Sequence, residues 1–309
     1  MIGRATGDRM RILLTGASGF VGRHVLASLA SMNVDLHAVS RRRPPVEAAC
    51  TWHEADLLDP AAAPSLVSSV RPDCIVHLAW CVEHGKFWTD AANLDWAGAT
   101  LRLAQASAGA GVTRFVGTGT CYEYDWPESG NCDERSTPLL GHTLYDTAKD
   151  GSRRMLEAFF SQTEIQFSWA RLFFLYGPHE APGRLMPSVA RALSAGEPAL
   201  CSRGAAVRDF MDVRDAGAAI AALAVSTVEG AVNIGTGEGV SVADAASMMG
   251  KLAGRPDLVR LGALPDRPGE PPRIVAATDR LRHEVGYGGS RPLESGLRDV
   301  LSFWHKAAA

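Results

Sequence analysis

Arg11-Ile-Leu-Leu-Thr-Gly-Ala-Ser-Gly-Phe-Val-Gly22 reads as an apolar strand, a glycine turn and the start of a helix. Gly16, Gly19 and Gly22 fall where the strand passes into the helix. Glycine lets a backbone turn tightly and approach a pyrophosphate, and a helix N-terminus offers unpaired N–H groups and a positive dipole end. The spacing is GxxGxxG rather than the older GxGxxG fingerprint.

Working outward, strand-like runs at 11–14, 35–39, 74–79 and 114–117 alternate with helical patterns at 21–32, 60–70, 91–110 and 145–162. A further strand is expected at 165–172. This order predicts an α/β fold, a doubly wound parallel sheet covered on both faces. The second half is richer in Pro and Gly, with loop signals at Gly177-Pro178 and across Leu264-Pro-Asp-Arg-Pro-Gly-Glu-Pro-Pro272. The segments 207–213, 216–226 and 232–235 read as a return to the sheet. The expected division is a cofactor-binding domain over 10–176 and 208–236, with a smaller, discontinuous C-terminal substrate lobe over 177–207 and 237–309.

The 309-residue chain carries 31 Lys and Arg against 34 Asp and Glu, a formal net charge of −3. Such a balance does not advertise nucleic acid or an anionic membrane surface as a partner. No apolar run is long enough to span a bilayer. Met1–Met10 lacks the apolar core of a signal peptide and is expected to be a frayed leader, with Met10 a candidate natural start. The six cysteines have no metal-binding spacing, so no metal is expected, and they read as reduced thiols of a cytoplasmic protein.

Two places describe the cofactor's far end. After the second strand, Val39-Ser-Arg-Arg-Arg43 puts Ser40 where an NAD-selective site usually carries an acid for the ribose 2′-hydroxyl. Arg41 follows, and a guanidinium suits a 2′-phosphate, so NADP(H) is expected over NAD(H). Asp56, with Leu57, is positioned to put a carboxylate near the adenine amino group.

The reacting end is read from Thr120, in Phe115-Val-Gly-Thr-Gly-Thr-Cys121, and from Tyr145-Asp-Thr-Ala-Lys149. Tyr145 and Lys149 are four apart and share a helix face. A tyrosine ionises near pH ~10, and a neighbouring ammonium favours tyrosinate. Lys149 is also placed to hold the nicotinamide ribose, and the Thr120 hydroxyl can donate to a substrate oxygen that gains charge. The combination suggests hydride transfer with a nicotinamide cofactor.

With these motifs together, the sequence resembles an extended short-chain dehydrogenase/reductase of the NAD-dependent epimerase/dehydratase, nucleotide-sugar-modifying group. The resemblance runs from about residue 11 to 304 and includes His77-Leu-Ala79, Asn93, Arg171-Leu-Phe-Phe-Leu-Tyr-Gly-Pro178, Arg208-Asp-Phe-Met-Asp-Val-Arg-Asp215, Asn233-Ile-Gly-Thr-Gly237 and Gly286-Tyr287. It implies a Rossmann domain with cofactor contacts from Ser18, Phe20, Val21, Leu78 and Ala79 beside the three glycines. It further implies Tyr145 as proton donor and acceptor, Lys149 as its electrostatic partner and Thr120 as hydroxyl stabiliser. Arg208 and Arg267 are implied to meet the substrate's pyrophosphate, a salt-bridged interface role being the other reading of Arg267. Helices 91–110 and 145–162 pair across a two-fold axis in this family, which implies a homodimer.

Two departures narrow the reading. Phe174 stands where family members often carry Asn, so one substrate contact is missing or rebuilt. Cys121-Tyr122 follows Thr120 where 4,6-dehydratases place Asp-Glu, which argues against water elimination; Glu123 lies too far along to inherit that role. Trp80, His84 and their neighbours in Trp80-Cys-Val-Glu-His-Gly-Lys-Phe-Trp88 either pack on a hexose or anchor a loop. This segment, with Gly119-Thr-Cys-Tyr-Glu-Tyr124, is similar to the branch that includes CDP-abequose-type 4-ketosugar reductases, and it makes Cys121 a candidate substrate contact beside Trp80 and His84. From the Ser40 and Arg41 cofactor end together with the missing dehydratase acids, the leading expectation is NADPH-dependent reduction of a nucleotide-linked 4-keto-6-deoxyhexose. The alternative is a 4-epimerase with retained NAD, and a third reading is a non-catalytic cofactor sensor.

Overall fold

The computed structural model describes residues 9–44 and 49–308; the leader expected over 1–10 lies, through Asp8, outside the described residues. Strand β1 (Met10–Thr15) begins with the apolar run, and Ile12, Leu13 and Leu14 are fully buried. It is followed by α1 (Gly22–Ala30), β2 (Val34–Ser40), β3 (Thr51–Glu54), α2 (Ala62–Val70), β4 (Cys74–His77), α3 (Ala92–Ser107), β5 (Arg114–Thr120), α4 (Leu144–Phe160) and β6 (Gln166–Leu172). Next come β7 (Phe174–Tyr176), α5 (Leu185–Ala195), β8 (Ala199–Leu200), β9 (Val207–Arg208), β10 (Phe210–Asp212), α6 (Val213–Val225) and β11 (Gly230–Ile234). The chain ends with β12 (Val240–Ser241), α7 (Val242–Leu252), β13 (Val259–Arg260), β14 (Arg273–Ile274) and α8 (Leu293–Ala308).

Seven strands form one sheet in the order β11-β6-β5-β4-β1-β2-β3. The β1–β2, β1–β4, β2–β3 and β4–β5 pairs are parallel. One face packs Leu13, Ile75 and Phe115 against Leu66, Leu103 and Leu156 from α2, α3 and α4. On the other, α1 and α6 approach so closely that a Cβ on Gly217 would lie 2.6 Å from the His24 backbone. Helices on both faces make the doubly wound α/β sheet that the alternation predicts. Strand β1 has β2 on one side and β4 on the other, so the order reverses there, and ligands of such sheets bind at the carboxyl ends beside that reversal.

The described residues fall into two compact units. The first holds residues up to Glu123, Gly141–Ala170 and Gly217–Val232; the second holds Tyr124–Leu140, Arg171–Ala216 and residues from Asn233 onward. A second core unites Met186, Val189 and Leu193 of α5 with Met249 of α7 and Leu297 and Val300 of α8.

The sequence pattern misjudged two segments. Residues 207–213 do not return to the large sheet: β9 pairs with β12 and β14, and β10 with β7. Between them the buried carboxylate of Asp209 takes the N–H groups of Thr236, Gly237 and Ala276, which breaks the run into two short strands. Only β11 rejoins the sheet, beside β6. Strand β3 escaped because Thr51-Trp-His-Glu54 is a polar edge strand that its pairing with β2 defines.

Candidate active site

The glycine turn ends β1 at the reversal point. Gly16 has φ +69°, and a Cβ there would lie 2.7 Å from the Ala79 nitrogen, while one on Gly22 would overlap the Gly16 carbonyl. The Gly19 N–H closes the turn on Gly16 O at 3.0 Å. Ser18 and Gly19 are exposed and Phe20 and Val21 half-buried, so this loop presents its backbone outward. Helix α1 has neither a side-chain N-cap nor an acidic residue in its first turn. Its positive end is therefore left for an external anion.

Leu78 and Ala79 follow β4 across from this turn, their N–H groups directed to Thr15 O and Thr15 Oγ1 at 3.3 and 3.4 Å. Between Thr15 and Thr100 lies His77, its ring nitrogens 2.7 and 2.9 Å from the two hydroxyls. Burial, helped by the Lys149 charge, pulls this imidazole down to about 3, so it is neutral at physiological pH.

At the end of β2, Ser40 is buried and donates to Arg42 O at 2.7 Å, while Arg41 is exposed. The β2–β3 register sets Glu54 opposite Ser40, and Glu54 accepts the Arg43 N–H at 3.1 Å. This end of the sheet therefore carries a carboxylate as well as cations, which the sequence reading did not weigh. Asp56 is exposed and accepts the Leu58 N–H in a tight turn, whereas the Leu57 side chain belongs to the core.

Thr120, Tyr145 and Lys149 all lie in the first unit. Thr120 closes β5, and its Oγ1 accepts the Tyr122 N–H at 3.3 Å, which leaves the hydroxyl's own proton to offer. Helix α4 starts at Thr143, where the Asp146 carboxylate accepts the N–H groups of His142 and Thr143. The Tyr145 N–H, one of the first-turn donors without a helical acceptor, goes to Trp88 O at 3.1 Å. Trp80, Phe87 and Trp88 meet the Tyr145 ring edge-on, with centroids 6.5, 4.7 and 5.8 Å away. One turn on, Lys149 Nζ donates to Thr118 O at 2.9 Å and lies 3.8 Å from the centroid of the Trp80 ring. Burial pulls its pKa down to about 7, against a smaller upward pull from Glu123.

The 80–88 segment is anchored through residues outside the expected site set. Trp80 Nε1 donates to Asn93 Oδ1 at 2.9 Å, and Asn93 Nδ2 donates to Phe87 O at 2.7 Å. His84 is exposed and Cys121 buried. Glu123 also joins the site: it is fully buried and accepts the Thr120 N–H at 2.9 Å.

The second unit brings Arg208 and Phe174 together. The Arg208 guanidinium is buried, 5.3 Å over the Phe174 ring, and paired with Glu270 at 2.9 Å. At the position where family members often carry Asn, the Phe174 ring thus faces the arginine. Arg267 is exposed on the same loop as Glu270.

Residues 12–235 match the NAD dependent epimerase/dehydratase family. The chain is 25% identical to UDP-glucose 4-epimerase of Azospirillum brasilense, over 96% of this chain and 92% of that protein. Among solved structures, the UDP-glucose 4-epimerase of Thermus thermophilus in complex with NAD superposes with TM-score 0.86 at 23% identity, covering 96% of this chain and 100% of that one. MoeE5 in complex with UDP-glucuronic acid and NAD gives TM-score 0.84 at 27% identity, over 98% of this chain and 100% of that one.

Proposed function

Because this chain belongs to the NAD dependent epimerase/dehydratase family, we propose that it is a nucleotide-sugar 4-epimerase that keeps its NAD through the cycle. The observation that carries the choice is near full-length similarity to UDP-glucose 4-epimerases, which favours the epimerase over the reductase expected first. UDP-hexoses are the proposed substrates. The cradle fits a dinucleotide: no side chain has room at Gly16 or Gly22, and α1 brings no anion of its own. NAD, when bound, supplies a reversible hydride acceptor.

Tyr145, as phenolate, takes the proton from the sugar's 4-hydroxyl while hydride leaves C4, and returns it after the 4-keto sugar has presented its other face. Thr120 donates to the same oxygen and stabilises its charge in both directions. Lys149 favours the phenolate. Arg208 is assigned to the substrate's pyrophosphate through its forked donors, and the second unit to substrate recognition.

NAD is favoured over NADP because Glu54 stands in register with Ser40, and a 2′-phosphate there would meet a carboxylate. The exposed Arg41 is what still speaks for the second reading, the NADPH-dependent ketosugar reductase. Leu94 on α3 and Met155 and Phe159 on α4 are exposed apolar residues that support a homodimer through these helices. All six cysteines are free thiols, in keeping with a cytoplasmic setting; among the described residues no helix is long and apolar enough to cross a membrane. Incubating the purified protein with UDP-glucose, and separately with UDP-galactose, tests the reading through interconversion without net cofactor turnover.

A further inference from the structure

The end of β5 holds one more charged group than the proposed reaction uses. Glu123 is 0% exposed; Oε1 accepts the Thr120 N–H at 2.9 Å, and Trp169 Nε1 donates to both carboxylate oxygens at 3.0 and 3.2 Å. The strand is built around this arrangement. A Cβ on Gly119 would overlap both Glu123 Oε1 and Trp169 Nε1, and one on Gly117 would lie 2.5 Å from the indole ring. Two glycines on one strand face thus make room for a tryptophan and a carboxylate.

Residues two apart in a strand direct their N–H and C=O groups to the same side. Thr118 O there takes the Lys149 ammonium, and the Thr120 N–H takes Glu123. A glutamine would satisfy the same N–H donors at a smaller desolvation cost than a carboxylate. What a carboxylate adds over an amide is therefore charge, and the buried cation held by the same strand end is Lys149.

We propose that Glu123 is a positioning residue of the proton-transfer apparatus: its carboxylate fixes the backbone of Thr120 and is the counter-charge to the Lys149 ammonium held by the same strand end.

The titratable groups nearest Lys149 include His77 from β4, Glu123 after β5, and Tyr145 and Asp146 on its own helix; the Asp146 carboxylate is engaged by the His142 and Thr143 N–H groups at the helix start. His77 is held neutral, so Glu123 provides the opposing charge; it raises the Lys149 pKa while burial, the larger effect, lowers it. The inference rests on the reading of Tyr145 and Lys149 as the acid–base pair, but its test does not require turnover. The chain has four lysines, at 86, 149, 251 and 306, and Lys149 is the buried one. Lysine labelled with carbon-13 next to Nζ then gives a resolved titration of Lys149 in the NAD-saturated protein.

Glu123→Gln lowers the Lys149 midpoint by about one pH unit, and Glu123→Asp lowers it by less. Where the wild type turns over, the alkaline limb of kcat moves down with it and KM changes less than about twofold. A midpoint unmoved in whichever variant folds overturns the proposal. A moved midpoint in a protein inert toward every UDP-hexose upholds Glu123 and rejects the epimerase reading instead.

Discussion

The Lys149 ammonium lies over the indole of Trp80, 3.8 Å from the ring centroid. A cation on a π-face is stabilised without an ion pair, yet burial still dominates and draws the Lys149 pKa from 10.5 down to about 7. The folded pKa is depressed below the unfolded one, so the unfolded chain binds more protons between the two values and stability rises with pH there. The cost of the buried ammonium is full below about pH 7 and is released as pH climbs toward the unfolded value. Lys149→Met removes that cost. Its Tm relative to wild type should be most favourable at pH 6 and lose a few degrees of that advantage by about pH 9; a pH-independent difference contradicts the assignment.

Tyr145→Phe removes the phenol but keeps the ring that Trp80, Phe87 and Trp88 surround. Epimerase turnover should fall by about 10³-fold. NAD affinity, measured by titration calorimetry, should stay within about threefold because the phenol contributes little uniform binding. Retained turnover would refute the assignment of the proton carrier.

Gly22→Ala places a methyl against the Gly16 carbonyl oxygen in a turn with no slack. The expected result is a loss of NAD affinity of at least about tenfold, with a stability loss on the order of 1–3 kcal/mol. Denaturant unfolding with and without NAD separates the two effects, and unchanged NAD binding would count against the cradle.

Arg208→Lys keeps the charge and loses the fork, whose Nη2 donates to Glu270 and Nη1 to Val207 O. KM for UDP-glucose should rise about tenfold with NAD binding unaltered. An unchanged KM would remove Arg208 from the pyrophosphate.

Much of the first unit was legible because its signals are local. An apolar strand before a glycine turn, and a phenol one helical turn from an ammonium, are patterns that a dozen residues contain. Three features were not local. Glu54 faces Ser40 only through the β2–β3 register. Glu123 is buried because Gly119 and Gly117 make space for Trp169, which lies 46 residues further along the chain from Glu123. The run 207–213 looked like one strand, and only the fold shows that the Asp209 carboxylate is spent on three distant N–H groups. Phe174 was recognised as a departure, but its use as a platform for Arg208 needed the geometry.

In the proposed cycle the hydride removed from C4 returns to the same sugar. Purified protein incubated with UDP-galactose and no added cofactor, followed by separation of the UDP-hexoses, tests this directly. The expected result is conversion to UDP-glucose up to a constant ratio, reached equally from either sugar, with no accumulation of reduced nicotinamide. No interconversion of UDP-hexoses, together with stoichiometric NADPH consumption on a nucleotide-linked 4-keto sugar, would contradict it.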